Sequence, residues 1–101
     1  MSPIVVPLLV LGALSAGATH GYGVATRVRE RSAGALEVED AALYQALHRL
    51  ERQGLVAAEW GLSDNNRRAR FYELTTDGRK RLRADAANWR RYAQAVAAVL
   101  D

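Results

Sequence analysis

The feature that most constrains the fold of this chain is the stretch EVEDAALYQALHRLERQGLV, which begins at Glu37. Its apolar residues follow the spacing i, i+3, i+4 and i+7, which places them on one side of a helix. They are Leu43, Ala46, Leu47 and Leu50. Acidic residues before the start and Gly54 at the end are typical helix start and stop signals. We therefore predict an amphipathic helix from about Asp40 to Gln53.

The opposite face of this helix is small at its beginning and polar along its length. It is formed by Ala41, Gln45, His48 and Arg52, with Tyr44 and Arg49 at its edges. A helix that is apolar on one side only packs against its core on that side. The polar side is therefore free to meet a partner.

Two short runs after this helix predict a β-hairpin. LVAAEWGL and ARFYELT read as strands, and SDNNRR between them contains two asparagines that suit a turn. Alternation puts Phe71 and Tyr72 on opposite faces of the second strand. Three arginines, Arg67, Arg68 and Arg70, lie at or near the tip. Guanidinium groups donate bidentate hydrogen bonds to phosphate; a solvated charged loop is the alternative interpretation.

The apolar run IVVPLLVLGALSAGA near the N-terminus has two interpretations, a buried first helix or a signal peptide. A signal peptide carries a basic segment before its apolar run, and this chain has none there. The run is also shorter than the ~20 apolar residues needed to cross a bilayer. We therefore predict a helix from about Pro3 to Ser15, with Pro7 near its first turn.

A second, shorter helix is predicted over YGVATRVRERS, with Tyr22, Ala25 and Val28 on one side and Gly34 at its end. The segment AGATHG just before it predicts a turn. Three helices, a hairpin with a basic tip and a final helix are the layout of a winged helix-turn-helix. The predicted fold class is therefore mainly α, of the α+β type.

The C-terminal segment predicts a long helix with a coiled-coil seam. TTDG supplies an N-cap threonine and an acidic residue in the first turn. Apolar residues then recur with the a/d spacing of a heptad, at Leu82, Ala86, Trp89, Ala93, Val96 and Leu100. The domain has little core left to cover this seam, which favours burial against a second copy of the chain. Packing of the helix back on its own domain is the alternative.

Charge and residue types limit the function classes. The formal net charge is +3 at pH 7, which favours a polyanionic partner. The absence of cysteine excludes disulfides and thiolate nucleophiles and fits a reducing cytoplasm. The sequence also has no His cluster with metal spacing, no phosphate-binding glycine loop and no recognisable catalytic carboxylate pair. We expect neither an enzyme nor a metal or cofactor site.

Four sequence features together resemble the PadR family of phenolic acid decarboxylase repressor-like regulators. They are HGYGVATRV, ALYQALHRLERQGLVAAEW, RRARFYELTTDGRKRL and Trp89, and they span nearly the whole chain. The resemblance implies a bacterial or archaeal transcriptional regulator, usually a repressor, that binds pseudo-palindromic double-stranded DNA as a homodimer. It also implies release by a small-molecule effector, dimerisation through the final helix, and a cytoplasmic location without a membrane partner.

The resemblance divides the chain into a DNA-binding domain, residues 1–76, and a dimerisation helix, residues 77–101. The recognition helix would span about residues 40–53 and the wing about residues 56–75. The expected groove-facing set is Ala41, Ala42, Gln45, His48 and Arg49. The expected wing contacts are Asn65, Asn66, Arg67, Arg68 and Arg70. Tyr22 and Tyr44 match family tyrosines that can hydrogen-bond DNA phosphates, with core packing as the alternative.

Two departures from the family affect the recognition helix. Many members have proline where this chain has Gln45, and serine or threonine where it has Ala42. The base preference of relatives therefore does not carry over.

Trp89 has two interpretations. In some multidrug-sensing members a tryptophan at the matching point sandwiches a planar ligand, which implies an aromatic or cationic effector site here. The alternative is that Trp89 fills a dimer core. For the whole protein, the alternative to a DNA-binding regulator is a winged-helix module for protein-protein interaction.

Overall fold

The computed structural model of this protein describes residues 4–101. The elements in that range are α1 (Val5–Leu14), β1 (Thr19–His20), α2 (Gly21–Arg31), α3 (Asp40–Arg52), β2 (Val56–Leu62), β3 (Arg68–Leu74) and α4 (Thr76–Leu100). The predicted α+β winged-helix class is confirmed. Pro3, where the first helix was predicted to begin, lies outside the described residues.

The core forms where α1, α2 and α3 meet the base of the hairpin. The predicted stripe of α3 is confirmed, because Leu43, Ala46, Leu47 and Leu50 are all buried. They pack in one cluster with Val10, Leu11 and Leu14 of α1, with Val24 and Val28 of α2, and with Tyr72 and Leu74 of β3. This packing fixes one side of α3 and leaves the predicted polar side outward.

The sheet contains a strand that the sequence did not predict. Its order is β1-β3-β2, and both pairings are antiparallel. Thr19 lies opposite Tyr72 and His20 opposite Phe71, in the segment that was predicted to be a turn. A two-residue strand is too short to show an alternating pattern in the sequence, so only its pairing with β3 in the structure identifies it. The predicted opposite facing of Phe71 and Tyr72 is confirmed, since Tyr72 is 2% exposed and Phe71 lies on the other face.

One of the three residues predicted on the same side of α2 does not face the core: Val28 is buried and Ala25 packs against the core cluster, but Tyr22 does not. The buried residues of α2 are Gly21, Val24 and Val28, whereas Tyr22 is 73% exposed. The prediction that Tyr22 lies on the apolar side is therefore wrong. The physical reason is the helix start at Gly21, which sets the buried stripe at that residue and rotates its neighbour by about 100°.

Helix α2 begins with a side-chain cap that was not predicted and ends close to the predicted Gly34. The imidazole Nδ1 of His20 accepts a hydrogen bond from the Gly23 N–H at 3.0 Å and caps the start. At the other end the helix stops at Arg31, and Gly34 follows with φ +82°. The Gly34 N–H donates to the Arg29 carbonyl at 2.8 Å, which closes the last turn.

Helix α4 makes a close contact with the domain at its first turn and packs against α1 beyond that turn. Thr75 caps the helix as predicted, with its Oγ1 accepting from the Gly78 N–H at 3.0 Å. Of the seam, Leu82 packs against the core and Ala86 is partly buried. Trp89, Ala93, Val96 and Leu100 are exposed in the single chain. No helix within residues 4–101 is long and apolar enough to span a membrane.

Candidate nucleic-acid interface

The outward face of α3 presents the residues that the sequence assigned to it. Ala41, Tyr44, Gln45, His48 and Arg49 are exposed, and Ala42 is partly buried. The first turn of α3 carries small side chains, because two alanines follow Asp40, so the start of the helix can approach another surface closely. The longer polar side chains stand along the next two turns.

The wing, defined here as residues 56–74, ends in a turn that its own side chains hold in shape. The Ser63 N–H donates to the Arg67 carbonyl at 2.8 Å, and the Asn66 N–H donates to the Ser63 carbonyl at 2.9 Å. The Ser63 hydroxyl donates to Asn65 Oδ1 at 2.6 Å. Asn66 has φ +64°, which asparagine tolerates better than most residues. The turn therefore presents Arg67 to solvent from a backbone held by several hydrogen bonds.

The two wing arginines nearest the tip differ in how they are held. Both Arg67 and Arg68 are exposed. The Arg68 guanidinium carbon lies 4.6 Å from the centre of the Trp60 ring on the neighbouring strand. Trp60 is itself 59% exposed, and it was not predicted to belong to the site. Trp60 belongs to the site because the register of β2 and β3 places it beside Arg68.

Arg70 lies deeper than the other wing arginines and has a partner. Its Nη2 donates to Glu51 Oε2 of α3 at 2.8 Å, and both side chains are about one third exposed. Sequence reasoning grouped Arg70 with the tip arginines and did not single out Glu51. The two partners are 19 positions apart in the sequence, so local patterns do not reveal the pair.

Tyr22 and Tyr44 both lie beside the start of α2. The Tyr44 ring lies over Gly21, where an added Cβ would approach its hydroxyl to 2.9 Å. Tyr22 stands beside His20, with ring centres 6.3 Å apart, and Tyr44 stands beside His48, with ring centres 6.4 Å apart. Neither tyrosine is buried in the core, so the core-packing alternative does not describe either of them.

These side chains line one open groove of about 710 Å³ between the start of α2, the outer face of α3 and the wing. The structure brings together Tyr22, Tyr44, His48, Asn65, Arg67, Arg68 and Arg70, and it adds His20 and Trp60. Ala41, Ala42, Gln45, Arg49 and Asn66 do not line this groove; the first four lie on α3 beside it. Three arginines against the single acid Asp64 make the groove lining positive.

Tyr72 closes the inner end of the groove. Burial raises the pKa of its phenol, and the positive charge of Arg70 opposes that rise. The hydroxyl therefore stays protonated at neutral pH. Within residues 4–101 no cluster of His, Cys, Asp and Glu could hold a metal ion.

A second set of surfaces surrounds Trp89 on α4. One groove of about 650 Å³ runs between α1, α2 and α4 and includes Leu9, Leu36, Leu82, Ala86 and Trp89. Another, of about 630 Å³, is lined by Ile4, Leu8, Asp85, Asn88, Trp89 and Tyr92. The Trp89 and Tyr92 ring centres are 6.1 Å apart. Trp89, the predicted effector-binding residue, thus lies between a groove that also contains Arg27, Arg31 and Arg90 and a groove that contains the carboxylate of Asp85.

Several solved structures share this fold. A PadR family transcription regulator from Clostridium difficile R20291 is 26% identical, with a TM-score of 0.80, over 95% of this chain and 98% of that one. A Streptococcus mutans UA159 protein has a TM-score of 0.85 at 22% identity, over 98% of this chain and 89% of that one. Bacillus subtilis PadR, solved in complex with operator DNA, has a TM-score of 0.70 at 21% identity. That last alignment covers 79% of this chain and 45% of the other, and at such identities it shows the fold alone.

The sequence comparison is more specific than the structural one. The profile of the transcriptional regulator PadR-like family matches residues 10–84, from the core of α1 into the first turns of α4. No curated protein matches the chain. The resemblance inferred from the sequence is therefore confirmed, and its consequence is a class of regulators and not of enzymes. The chain belongs to the transcriptional regulator PadR-like family.

Proposed function

We propose that this protein is a sequence-specific regulator that binds double-stranded DNA through α3 and the wing. The observation that carries the proposal is the shared groove, in which the exposed side of α3, two tyrosines and three wing arginines meet. Phosphates attract such a positive surface, and hydroxyl and guanidinium groups can hydrogen-bond them. The complex of Bacillus subtilis PadR with operator DNA supports the same class of partner.

In this proposal α3 enters the major groove. An α-helix fits that groove, and residues near its N-terminus approach the base edges. Ala41 and Ala42 leave room for close approach, and Gln45 can offer its amide to an adenine edge. His48 and Arg49, further along the same face, are placed for bases or the backbone. Sequence choice therefore belongs to α3.

The wing would grip the DNA backbone or the adjacent minor groove without choosing a sequence. Arg67 extends from the ordered turn, and Arg68 rests on Trp60 with its guanidinium exposed. Asn65 and Asn66 present their amides at the same tip. Tyr22 and Tyr44 would contact phosphates at the opposite rim of the groove.

The seam of α4 supports a homodimer. From Trp89 to the end of the helix its apolar side chains are exposed, including Val96 and Leu100. An apolar stripe with heptad spacing is stable when a second copy covers it. A two-fold dimer would present two copies of α3 to the two halves of a pseudo-palindromic operator.

Repression released by an effector is the regulatory part of the proposal. Trp89 and Tyr92 offer aromatic surface, and Asp85 offers a negative charge beside them. A planar aromatic cation combines the two properties that such a surface would bind. Quenching of Trp89 fluorescence by planar dyes, in a Trp60→Phe background, tests this site. Absence of quenching by all such dyes would leave Trp89 as dimer core.

DNA binding is tested by a gel shift with the promoter beside the protein's own gene, followed by a salt titration. We expect Arg67→Ala to weaken binding to all sequences and to lower the slope of log affinity against log salt by about 0.9. An unchanged slope would remove the wing from DNA binding. Failure of the unmodified protein to shift any duplex at low salt would instead favour the protein-interaction alternative. We also propose that this regulator acts in the cytoplasm, where the promoter DNA is.

A further inference from the structure

We infer that Glu51 and Arg70 form a positioning strut that sets the wing against the recognition helix, so that Arg70 serves DNA binding without contacting phosphate. This inference rests on the proposed DNA-binding function. It assigns different tasks to arginines that lie only two residues apart on β3. Arg68 contacts DNA, and Arg70 holds the contacting strand in place.

The position of Arg70 along β3 is the first reason. Side chains on this face change steadily from buried to exposed towards the wing tip: Leu74 and Tyr72 are buried, Arg70 is partly buried and Arg68 is exposed. Arg70 therefore stands where the wing leaves the body of the domain. A contact at that point controls the angle of everything beyond it.

The second reason is that this pair is the single side-chain hydrogen bond joining α3 to the wing among residues 4–101. Glu51 lies in the last turn of α3, the helix proposed to enter the major groove. The pair thus links the two DNA-binding elements directly. An ion pair that is one third exposed adds little to folding stability, because water screens it and two side chains must be ordered.

The orientation of the Arg70 guanidinium is the third reason. Its Nη2 faces Glu51 at 2.8 Å, and its Nε is buried without a hydrogen-bond partner among the described residues. One nitrogen of the guanidinium is therefore occupied by Glu51 and another is shielded from solvent, which leaves less of the group available to a phosphate. The carboxylate also neutralises the charge that would attract a phosphate. No ion pair of this kind holds Arg67 or Arg68 within residues 4–101.

The test compares Glu51→Gln, Arg70→Met and the double variant, with affinity for a mixed-sequence duplex measured by fluorescence anisotropy over a salt series. We expect each single variant to bind the duplex about fivefold more weakly than the unmodified protein. The affinity of the double variant should be no lower than that of the single variant that binds more weakly. The salt slope should stay at the unmodified value in all three. Glu73→Gln, on the opposite face of the wing, removes an equal charge and should not weaken binding.

The alternatives give opposite results. If Arg70 contacts phosphate, Arg70→Met will lower the salt slope by about 0.9, as Arg67→Ala does, and the inference is overturned. If the pair is only a surface contact, Glu51→Gln will bind as tightly as before or more tightly, because a negative charge near DNA has been removed. Additive losses in the double variant would also overturn it, since partners in one strut lose their effect together.

A readout without DNA separates this inference from the proposed function. Trp60 pairs with Arg70 across the strands, and Trp89→Phe makes it the one tryptophan of the chain. In that background Glu51→Gln should increase the fast component of the Trp60 anisotropy decay, whereas Glu73→Gln should not. An unchanged decay overturns the strut even if DNA is bound. If no duplex is bound by the unmodified protein, the proposed function fails and the decay alone decides whether the strut exists.

Discussion

The Arg68 guanidinium carbon lies 4.6 Å from the centre of the exposed Trp60 ring, diagonally across the two strands of the wing. A cation over an aromatic face is attracted by the negative potential of the ring. The contact limits the directions in which Arg68 can point, and it keeps the charge above the groove. If the wing binds DNA as proposed, Trp60 acts on that binding through Arg68.

Trp60→Ala should weaken DNA binding about twofold to fivefold, because an exposed cation-π contact contributes about 0.5–1 kcal/mol. Trp60→Phe, which keeps an aromatic face, should lose less. Anisotropy titrations with a mixed-sequence duplex measure both affinities. In an Arg68→Ala background the Trp60→Ala substitution should have no further effect, and an undiminished loss there would show that the indole contacts DNA itself.

Gln45→Ala should change sequence preference more than overall affinity. A side-chain amide that reads a base edge discriminates by about 1–3 kcal/mol, so we expect the preference between the operator and its single-base variants to fall about tenfold at one position. Competition binding with a set of mutated operators gives these ratios. Arg67→Ala is the matched control, since loss of a phosphate contact lowers affinity for every competitor equally. A uniform loss with Gln45→Ala would remove this residue from sequence recognition.

The α3 stripe was predictable because a 3.6-residue period is written locally in the chain, and each predicted apolar residue of that helix is buried. Strand β1 was not, because its two residues adopt a strand only by pairing with β3. The site shows the same division. The exposed face of α3 follows from its buried face, whereas the contacts of Trp60 and Glu51, on which their proposed roles rest, are set by strand register and by the packing of distant segments.

Val96→Glu should dissociate the proposed dimer. Val96 lies on the exposed part of the α4 seam, and burying an unpaired carboxylate at a two-fold interface is strongly unfavourable. We expect the dimer Kd to rise about a hundredfold or more, measured by sedimentation at several protein concentrations. Ala98→Glu places the same charge on the opposite side of the helix and should leave the dimer intact. A dimer that survives Val96→Glu would place the interface elsewhere.

Gly78→Ala should destabilise the joint between α4 and the domain. A Cβ at this buried glycine would lie 2.0 Å from the Leu55 carbonyl oxygen, which belongs to the backbone and cannot move aside easily. We expect a loss of about 2 kcal/mol, or roughly 10 °C in Tm, measured by thermal denaturation.

Gly12→Ala is the matched control for that substitution. Gly12 also lies inside a helix, and a Cβ there would meet nothing within 4 Å. This variant should be as stable as the unmodified protein or more stable by about 0.5–1 kcal/mol, because alanine favours the helix. Equal losses in the two variants would show that the close contact at Gly78 is not the cause.

Tyr72 should make the protein less stable as the pH rises above about 10, the ordinary pKa of tyrosine. Burial raises the pKa of this phenol in the folded protein. Above about pH 10 the unfolded chain therefore releases a proton that the folded chain still holds. The unfolded state then binds fewer protons, so the free energy of unfolding falls with increasing pH and continues to fall up to the folded-state pKa. Below about pH 10 both states keep the proton, and this contribution to stability is fully present.

Urea denaturation at a series of pH values should show a steeper alkaline decline for the unmodified protein than for Tyr72→Phe, which has no proton to lose. Parallel curves for the two proteins through this range would mean that the Tyr72 hydroxyl titrates alike in both states.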